Sequence, residues 1–300
     1  MCGAYVEISD ETGVWAYYVR FQDLPRGEWR KLEQAGRIIK AYPGPGRSPR
    51  PIFDDDYRLI EQADRDKEAG TLPHFPPRYN IRPTDTAPII INPDGNRRVV
   101  LGQFGLIPSW WKQPKPPSKY FNARAERLTS AGRDTPGKPT MWEPLVGTQR
   151  CIVVTSGFYE WPKKGRGKAP VYIHRKDAPF VSMAGLFNVW SDRAAGRQVM
   201  SFAIVTSEPN SFMKPIHDRM PVVLPDREAE ALWLDPATDK PDDVMHLVKP
   251  LEWDGFTYHR VNPLKRGEDR MEMLEPVTGE AETPVVQSVT PPETAPRLFE

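Results

Sequence analysis

Cys151-Ile152-Val153-Val154-Thr155 decides how the rest of the chain is read. The run is rich in β-branched residues and too short for an ordinary helix, so it reads as a strand, with Cys151 as a core residue. Similar runs lie on both sides: Ile89–Ile91 and Val99–Ile107 before it, then Val171–His174, Phe180–Leu186, Val199–Thr206 and Val222–Leu224 after it. Turn residues separate them, among them Pro93-Asp94-Gly95-Asn96 and Lys163-Lys164-Gly165-Arg166-Gly167. This pattern predicts an α+β fold whose core is a largely antiparallel, strongly curved sheet or barrel with a few peripheral helices. Two of those helices are expected at Ala123–Leu128 and at Arg227–Leu234, the second with Asp226 as N-cap and Pro225 before it.

Away from this region the texture changes. Gly27–Ala41 and Asp56–Ala69 are polar and helix-like, and the breaker segment Pro43–Pro51 lies between them. From Pro276 onward, five prolines and no apolar periodicity predict a disordered tail over 276–300. The expected organisation is one domain over 1–275, with an insertion at about residues 10–75.

The 300 residues carry a net charge of only +1, so bulk charge names no partner. Mean hydropathy is −0.58, and no apolar run approaches the ~20 residues of a membrane span. Two cysteines make neither a disulfide framework nor a cysteine-based zinc site, and the amino end has no basic and apolar leader. A cytoplasmic location is therefore expected. The 34 prolines predict many loops and few long helices.

Local charge says more. Residues 97–133 hold eight basic side chains against Glu126 alone, interleaved with Trp110, Trp111, Tyr120 and Phe121. Cations that track phosphates and rings that stack on unpaired bases suit a single nucleic-acid strand. A solvated basic face with the tryptophans in the core fits the same composition.

Cys2 is the first candidate for chemistry. Small second residues permit removal of Met1, which would leave an α-amine and a thiol on one residue. With a pKa near ~7.7–8.0, about a third of such an amine is neutral at pH ~7.5, against roughly one in a thousand for lysine. A neutral amine condenses with an aldehyde to an imine, and the neighbouring thiol closes a five-membered thiazolidine without a second encounter. Taken alone, a buried or incidental cysteine near a terminus is the stronger reading of the residue.

Five further segments bear on that choice: Tyr79-Asn80-Ile81-Arg82-Pro83-Thr84, Gly105-Leu106-Ile107-Pro108-Ser109-Trp110-Trp111, Asn122-Ala123-Arg124-Ala125-Glu126, Gly157-Phe158-Tyr159-Glu160-Trp161 and Ile216-His217-Asp218-Arg219-Met220-Pro221. With Met1-Cys2-Gly3, their types and order closely resemble the SRAP family, the SOS-response-associated peptidases or abasic-site processing proteins. The resemblance covers residues 2–5 and about 79–262. It implies an enzyme that binds abasic sites in single-stranded DNA and crosslinks to them through Cys2, with self-processing of Met1 and strand cleavage by β-elimination as accompanying activities; no metal or organic cofactor is implied, and a monomer is expected.

Carried over by motif, Asn122 orients the reacting end or the opened sugar. Glu160 moves protons during imine formation and ring closure. His217 protonates the sugar ring oxygen and assists release; its ordinary pKa near ~6.5 suits either direction of transfer. Arg124 and Arg219 contact phosphates, and Trp110, Trp111 and Pro83 form an apolar wedge against the bases. Each residue also has a plain structural reading: Asn122 as a helix N-cap, Glu160 as a salt-bridged strand residue, His217 as half of a surface pair with Asp218, the arginines as partners of Glu126 or Asp218, and the tryptophans as core. The chain departs from the family at Ala4, where arginine is common, and at Arg127, where threonine is usual. Two other classes fit part of the pattern: an amidotransferase with an amino-terminal cysteine nucleophile, which also opens Met-Cys-Gly, and a non-catalytic single-strand binder.

Overall fold

A computed structural model describes residues 4–7, 38–42, 50–53, 78–93, 95, 97–162, 169–176, 178, 180–192 and 195–277. Cys2, the Asp56–Ala69 stretch and residues 278–300 lie outside the described residues.

The strands, in chain order, are β1 (Ala4–Glu7), β2 (Ile38–Tyr42), β3 (Arg50–Phe53), β4 (Arg78–Ile81), β5 (Thr86–Ile91), β6 (Arg98–Phe104), β7 (Asn122–Arg124), β8 (Arg150–Thr155), β9 (Gly157–Glu160), β10 (Val171–Arg175), β11 (Val181–Asp192), β12 (Arg197–Ser207), β13 (Met220–Pro221) and β14 (Phe256–Arg260). The helices are short: α1 (Glu143–Thr148), α2 (Arg227–Leu234) and α3 (Pro241–Val244).

The large sheet runs β11-β8-β5-β6-β12-β13, and β11 also pairs with β12, so its strands close on themselves as a barrel. All its pairings are antiparallel except those that β12 makes with β6 and β7. A second sheet runs β14-β10-β9-β1-β4. The strand-rich, strongly curved core expected from the sequence is present.

The opening pentapeptide shows why its strands are apolar throughout. Cys151 and Val153 of β8 face one core cluster, with Ile89 and Ile91 of β5, Phe202 and Ile204 of β12, and Phe158 and Ile173 of the second sheet. Ile152 and Val154 point the other way, onto Leu145 and Val146 of α1 and Trp233 of α2. Both faces are covered, so the alternation expected of a half-exposed strand is absent. Buried Arg150 ties the helices to the barrel: its guanidinium donates to the carbonyls of Val146, Gly147, Trp233 and Asp235, groups left open at the ends of α1 and α2.

Several local expectations need correction. Ala123–Leu128 is not a helix. Asn122–Arg124 is a strand in register with Ile204–Thr206 of β12, followed by a single 3-10 turn at Ala125–Arg127. Pairing with a central strand outweighs the alanines' helix propensity, and Asn122 therefore caps no helix. The carboxyl end of Gly27–Ala41 belongs to β2, which pairs with β3, so Arg50 and Pro51 of the breaker segment are strand residues too. The run Val99–Ile107 stops as a strand at Phe104, because Gly105 takes φ 111° and sits so close to Pro116 that a Cβ would lie 2.9 Å away. The strand expected at Val222–Leu224 is displaced to Met220–Pro221, and Val223 makes only an isolated bridge to Met183. Arg227–Leu234 forms as expected, with Asp226 Oδ1 accepting from Ala229 N at 2.9 Å. Pro276 and Val277 pair with Val261 and Arg260, carrying the folded region just past residue 275.

Candidate functional site

The site is assembled where the second sheet meets the loops beside β12. β9 ends at Glu160, which is 1% exposed and pairs with Val171 of β10. On the other side of β9, Ala4 of β1 pairs with Tyr159. Gly157 opens β9 because nothing larger fits: a Cβ would lie 2.5 Å from the Ile173 carbonyl and 2.6 Å from the Tyr172 ring. Burial pushes the Glu160 carboxyl up to about 7, and the like charge of Asp218 acts in the same direction. The proton affinity of Glu160 is thus shifted toward neutrality, and the charge of Asp218, on the His217 loop, acts on it.

That loop is built by Asn210, a residue the sequence reading passed over. Its side chain accepts from Met213 N at 2.9 Å and donates to the Leu251 carbonyl at 2.8 Å. Met213 O in turn accepts from the backbone N–H groups of Ile216 and His217. An Asn after a Pro is a recognisable turn signal, but a contact 41 residues away is not legible locally. The His217 side chain is 14% exposed, with Nδ1 at 3.0 Å from Arg219 N and 2.9 Å from Asp218 Oδ1.

Arg219 makes a two-pronged bond with Glu126, at 3.0 and 2.9 Å, and donates to the Thr206 carbonyl at 2.6 Å. This clamp joins the His217 loop to the Asn122–Glu126 block across β12, where Thr206 lies between Arg124 and Pro221. Asn122 is 7% exposed. Arg124, by contrast, is exposed. Asn122 and Arg124 share a cleft of about 410 Å³ with Lys119, Tyr120 and Trp142. The Lys119 ammonium lies 5.3 Å from the Tyr120 ring centre, and Tyr120 meets Trp142 edge-on at 6.1 Å. The departure at Arg127 is absorbed by an ion pair with Asp134. At position 4, Ala4 is fully buried against Tyr159, Tyr172 and Val261, so this position is core.

The remaining predicted residues, Trp110, Trp111 and Pro83, are not among the residues that line this cleft. Trp110 is 62% exposed and packs edge-on against Trp111, which is anchored by a bond from its Nε1 to the Lys115 carbonyl and by the Trp190 indole N–H on its own carbonyl. Trp110 is therefore no core residue. Pro83 and Thr84 occupy the centre of a tight turn closed by Asp85 N on the Arg82 carbonyl. Thr84 has φ 85°, a left-handed conformation disfavoured for a β-branched residue, and is held there by its N–H on the Phe104 carbonyl at 2.7 Å.

The described residues thus include a buried carboxyl, a histidine loop clamped to the Asn122–Glu126 block, and a cleft lined by cationic and aromatic side chains with Asp134. The sequence profile of the family described as SOS response associated peptidase (SRAP) matches residues 52–264, and the chain belongs to this family. Its similarity to individual members is substantial. It is 38% identical over 214 residues to the abasic site processing protein YoaM of Bacillus subtilis, covering 71% of this chain and 88% of that one. It is 37% identical over 215 residues to the abasic site processing protein YoqW of Bacillus phage SPbeta, covering 71% and 89%. A vertebrate relative, the abasic site processing protein HMCES of Xenopus tropicalis, is 29% identical over 221 residues, covering 64% of this chain and 63% of that protein. Among solved structures, a protein from Bacteroides thetaiotaomicron superposes with a TM-score of 0.58 at 27% identity, covering 73% of this chain and 95% of that one. A protein from Bordetella bronchiseptica shares the fold with a TM-score of 0.54 at 22% identity, covering 67% and 96%.

Proposed function

We propose that this protein processes abasic sites in single-stranded DNA by capturing the sugar aldehyde covalently on Cys2, after removal of Met1. The observation that carries this reading is the placement of β1: Ala4 pairs with Tyr159, one residue before the buried, near-neutral carboxyl of Glu160. Two residues of chain span at most about 7 Å, so Cys2 is tethered within that reach of Ala4. The names of the relatives support the choice of substrate.

In the proposed sequence, His217 gives a proton to the ring oxygen of the abasic deoxyribose, the C1′–O4′ bond breaks, and the C1′ hydroxyl loses its proton to water, which leaves the open-chain aldehyde. The α-amine of Cys2 adds to C1′, and Glu160 shuttles protons as water leaves to form the imine. The thiol then adds to the C=N carbon, its proton passing to nitrogen, which closes the thiazolidine. Asn122, at the cleft wall, orients the opened sugar. Arg124 and Lys119 attract the flanking phosphates, and Trp110, Trp111 and Pro83 bear on the neighbouring bases. Arg219, clamped to Glu126, serves the loop rather than the strand.

The test is a denaturing gel. Met1-processed protein mixed with single-stranded DNA carrying one abasic site gives a denaturation-resistant adduct that Cys2→Ala abolishes, and an intact oligonucleotide gives none. Binding without an adduct, unchanged by Cys2→Ala, would favour the simple single-strand binder. Ammonia release from glutamine without an adduct would favour the amidotransferase.

A further inference from the structure

Of the motif Tyr79-Asn80-Ile81-Arg82-Pro83-Thr84, the proposed chemistry uses only Pro83. Its first half carries a break in a strand ladder. Tyr5 of β1 lies opposite Ile81 of β4 and Glu7 lies opposite Arg78, so Val6 alone faces two residues, Tyr79 and Asn80. This is a β-bulge, and its extra residue leaves main-chain groups without ladder partners. A segment beyond residue 264, where the family profile's match ends, supplies those partners. Asp269 Oδ1 accepts from the N–H groups of both Tyr79 and Asn80, and Oδ2 accepts from Arg78 Nε. The Tyr79 carbonyl accepts from the hydroxyl of buried Tyr159 at 2.9 Å. The Asn80 side chain, 4% exposed, donates to the carbonyls of Glu268 and Lys265 at 2.8 and 3.3 Å and accepts from Arg82 Nε at 2.8 Å. The far end of the segment is tied down as well, by His259 Nε2 donating to the Leu274 carbonyl at 2.7 Å and Val277 N donating to the Arg260 carbonyl at 2.9 Å. Between these ends, Leu264 and Leu274 pack on the cluster of Ala4, Tyr159, Tyr172 and Val261.

We propose that Asp269 is a positioning residue: by fixing the bulge in β4 it sets the register of β1, and so determines where Cys2 is delivered relative to Glu160. A bulge that moves or closes shifts the β1–β4 pairing by one residue, and a one-residue shift sends each side chain of a strand to the opposite face. β1 has only four residues and is held by two ladders, one to β9 and one to β4. With the second ladder loosened, three pairs with β9 alone keep Ala4 on Tyr159. β4 is the end strand of its sheet, so no further strand steadies it from outside, and the segment that carries Asp269 takes that place. Condensation of an amine with an aldehyde is sensitive to such placement, since an error of about 1 Å slows a reaction by as much as about a hundredfold.

The inference rests on the role proposed for Cys2, but its first measurement does not. Hydrogen exchange of the full chain, followed by mass spectrometry, reads β1 and the barrel separately. In Asp269→Ala, Ala4–Glu7 exchanges about tenfold faster or more than in wild type, while Arg150–Thr155 of β8 is unchanged. The rate of adduct formation falls about tenfold or more, and affinity for an intact single strand stays within about twofold. Asp269→Asn, whose side-chain oxygen still accepts from both N–H groups, keeps β1 protected and retains most of the rate. Unchanged exchange of Ala4–Glu7 in Asp269→Ala overturns the proposal. So does a β8 that loosens in step with β1, which makes Asp269 a contributor to overall stability alone, and so does an adduct rate within about twofold of wild type. If wild type forms no adduct at all, the functional reading fails, and the exchange of Ala4–Glu7 still decides whether Asp269 holds β1.

Discussion

Glu160→Gln is predicted to make the protein more stable and less active, with a stability gain that depends on pH. The buried carboxyl takes up its proton at about 7 in the folded chain, against the ordinary 4.5. At acidic pH both folded and unfolded chains hold the proton, and the residue carries no penalty. As pH rises past 4.5 the unfolded chain releases it while the folded chain retains it, so the unfolded state gains relative stability by about 1.4 kcal/mol per pH unit. The loss ends above pH ~7, once both states are ionised, and amounts to about 3 kcal/mol. Gln keeps the shape without the charge. Urea unfolding from about pH 4.5 to about pH 8.5 should show the two proteins nearly equal at the acid end. The variant should be ahead by about 3 kcal/mol at the alkaline end, while its rate of adduct formation falls sharply. A stability difference that does not change with pH, or a wild type that gains on the variant as pH rises, would refute the assignment of Glu160 as a carboxyl strained by burial.

Three other outcomes follow from particular contacts. Thr84→Gly relieves the left-handed backbone at φ 85° and should raise stability by about 1 kcal/mol, measured by thermal unfolding, because the N–H on Phe104 is kept. Arg150→Met leaves four carbonyls at the ends of α1 and α2, three of them buried, without their donor and should cost about 3 kcal/mol or more, with a correspondingly lower unfolding midpoint. Trp110→Ala, at a side chain 62% exposed, should leave stability unchanged but weaken single-strand binding by about 1–3 kcal/mol in a fluorescence titration.

The local sequence was sufficient for β5, β6, β8, β10, β11 and β12, for α2 with its Asp226 cap, and for the family motifs, because β-branched runs, capping residues and fixed spacings act over a few neighbours. It misread Ala123–Leu128, where strand pairing with Ile204–Thr206 overrode a helical composition. It also left the roles of Glu160, Arg219 and Trp110 open between structure and chemistry. Only the tertiary structure settled which groups surround each of them. Burial in the second sheet raised the proton affinity of Glu160, and a partner 93 residues away claimed the guanidinium of Arg219. Position 4 became core because β1 is inserted between β9 and β4. Hydrogen bonding and hydration depend on what the folded chain brings alongside a side chain, and the types of its sequence neighbours carry little of that information.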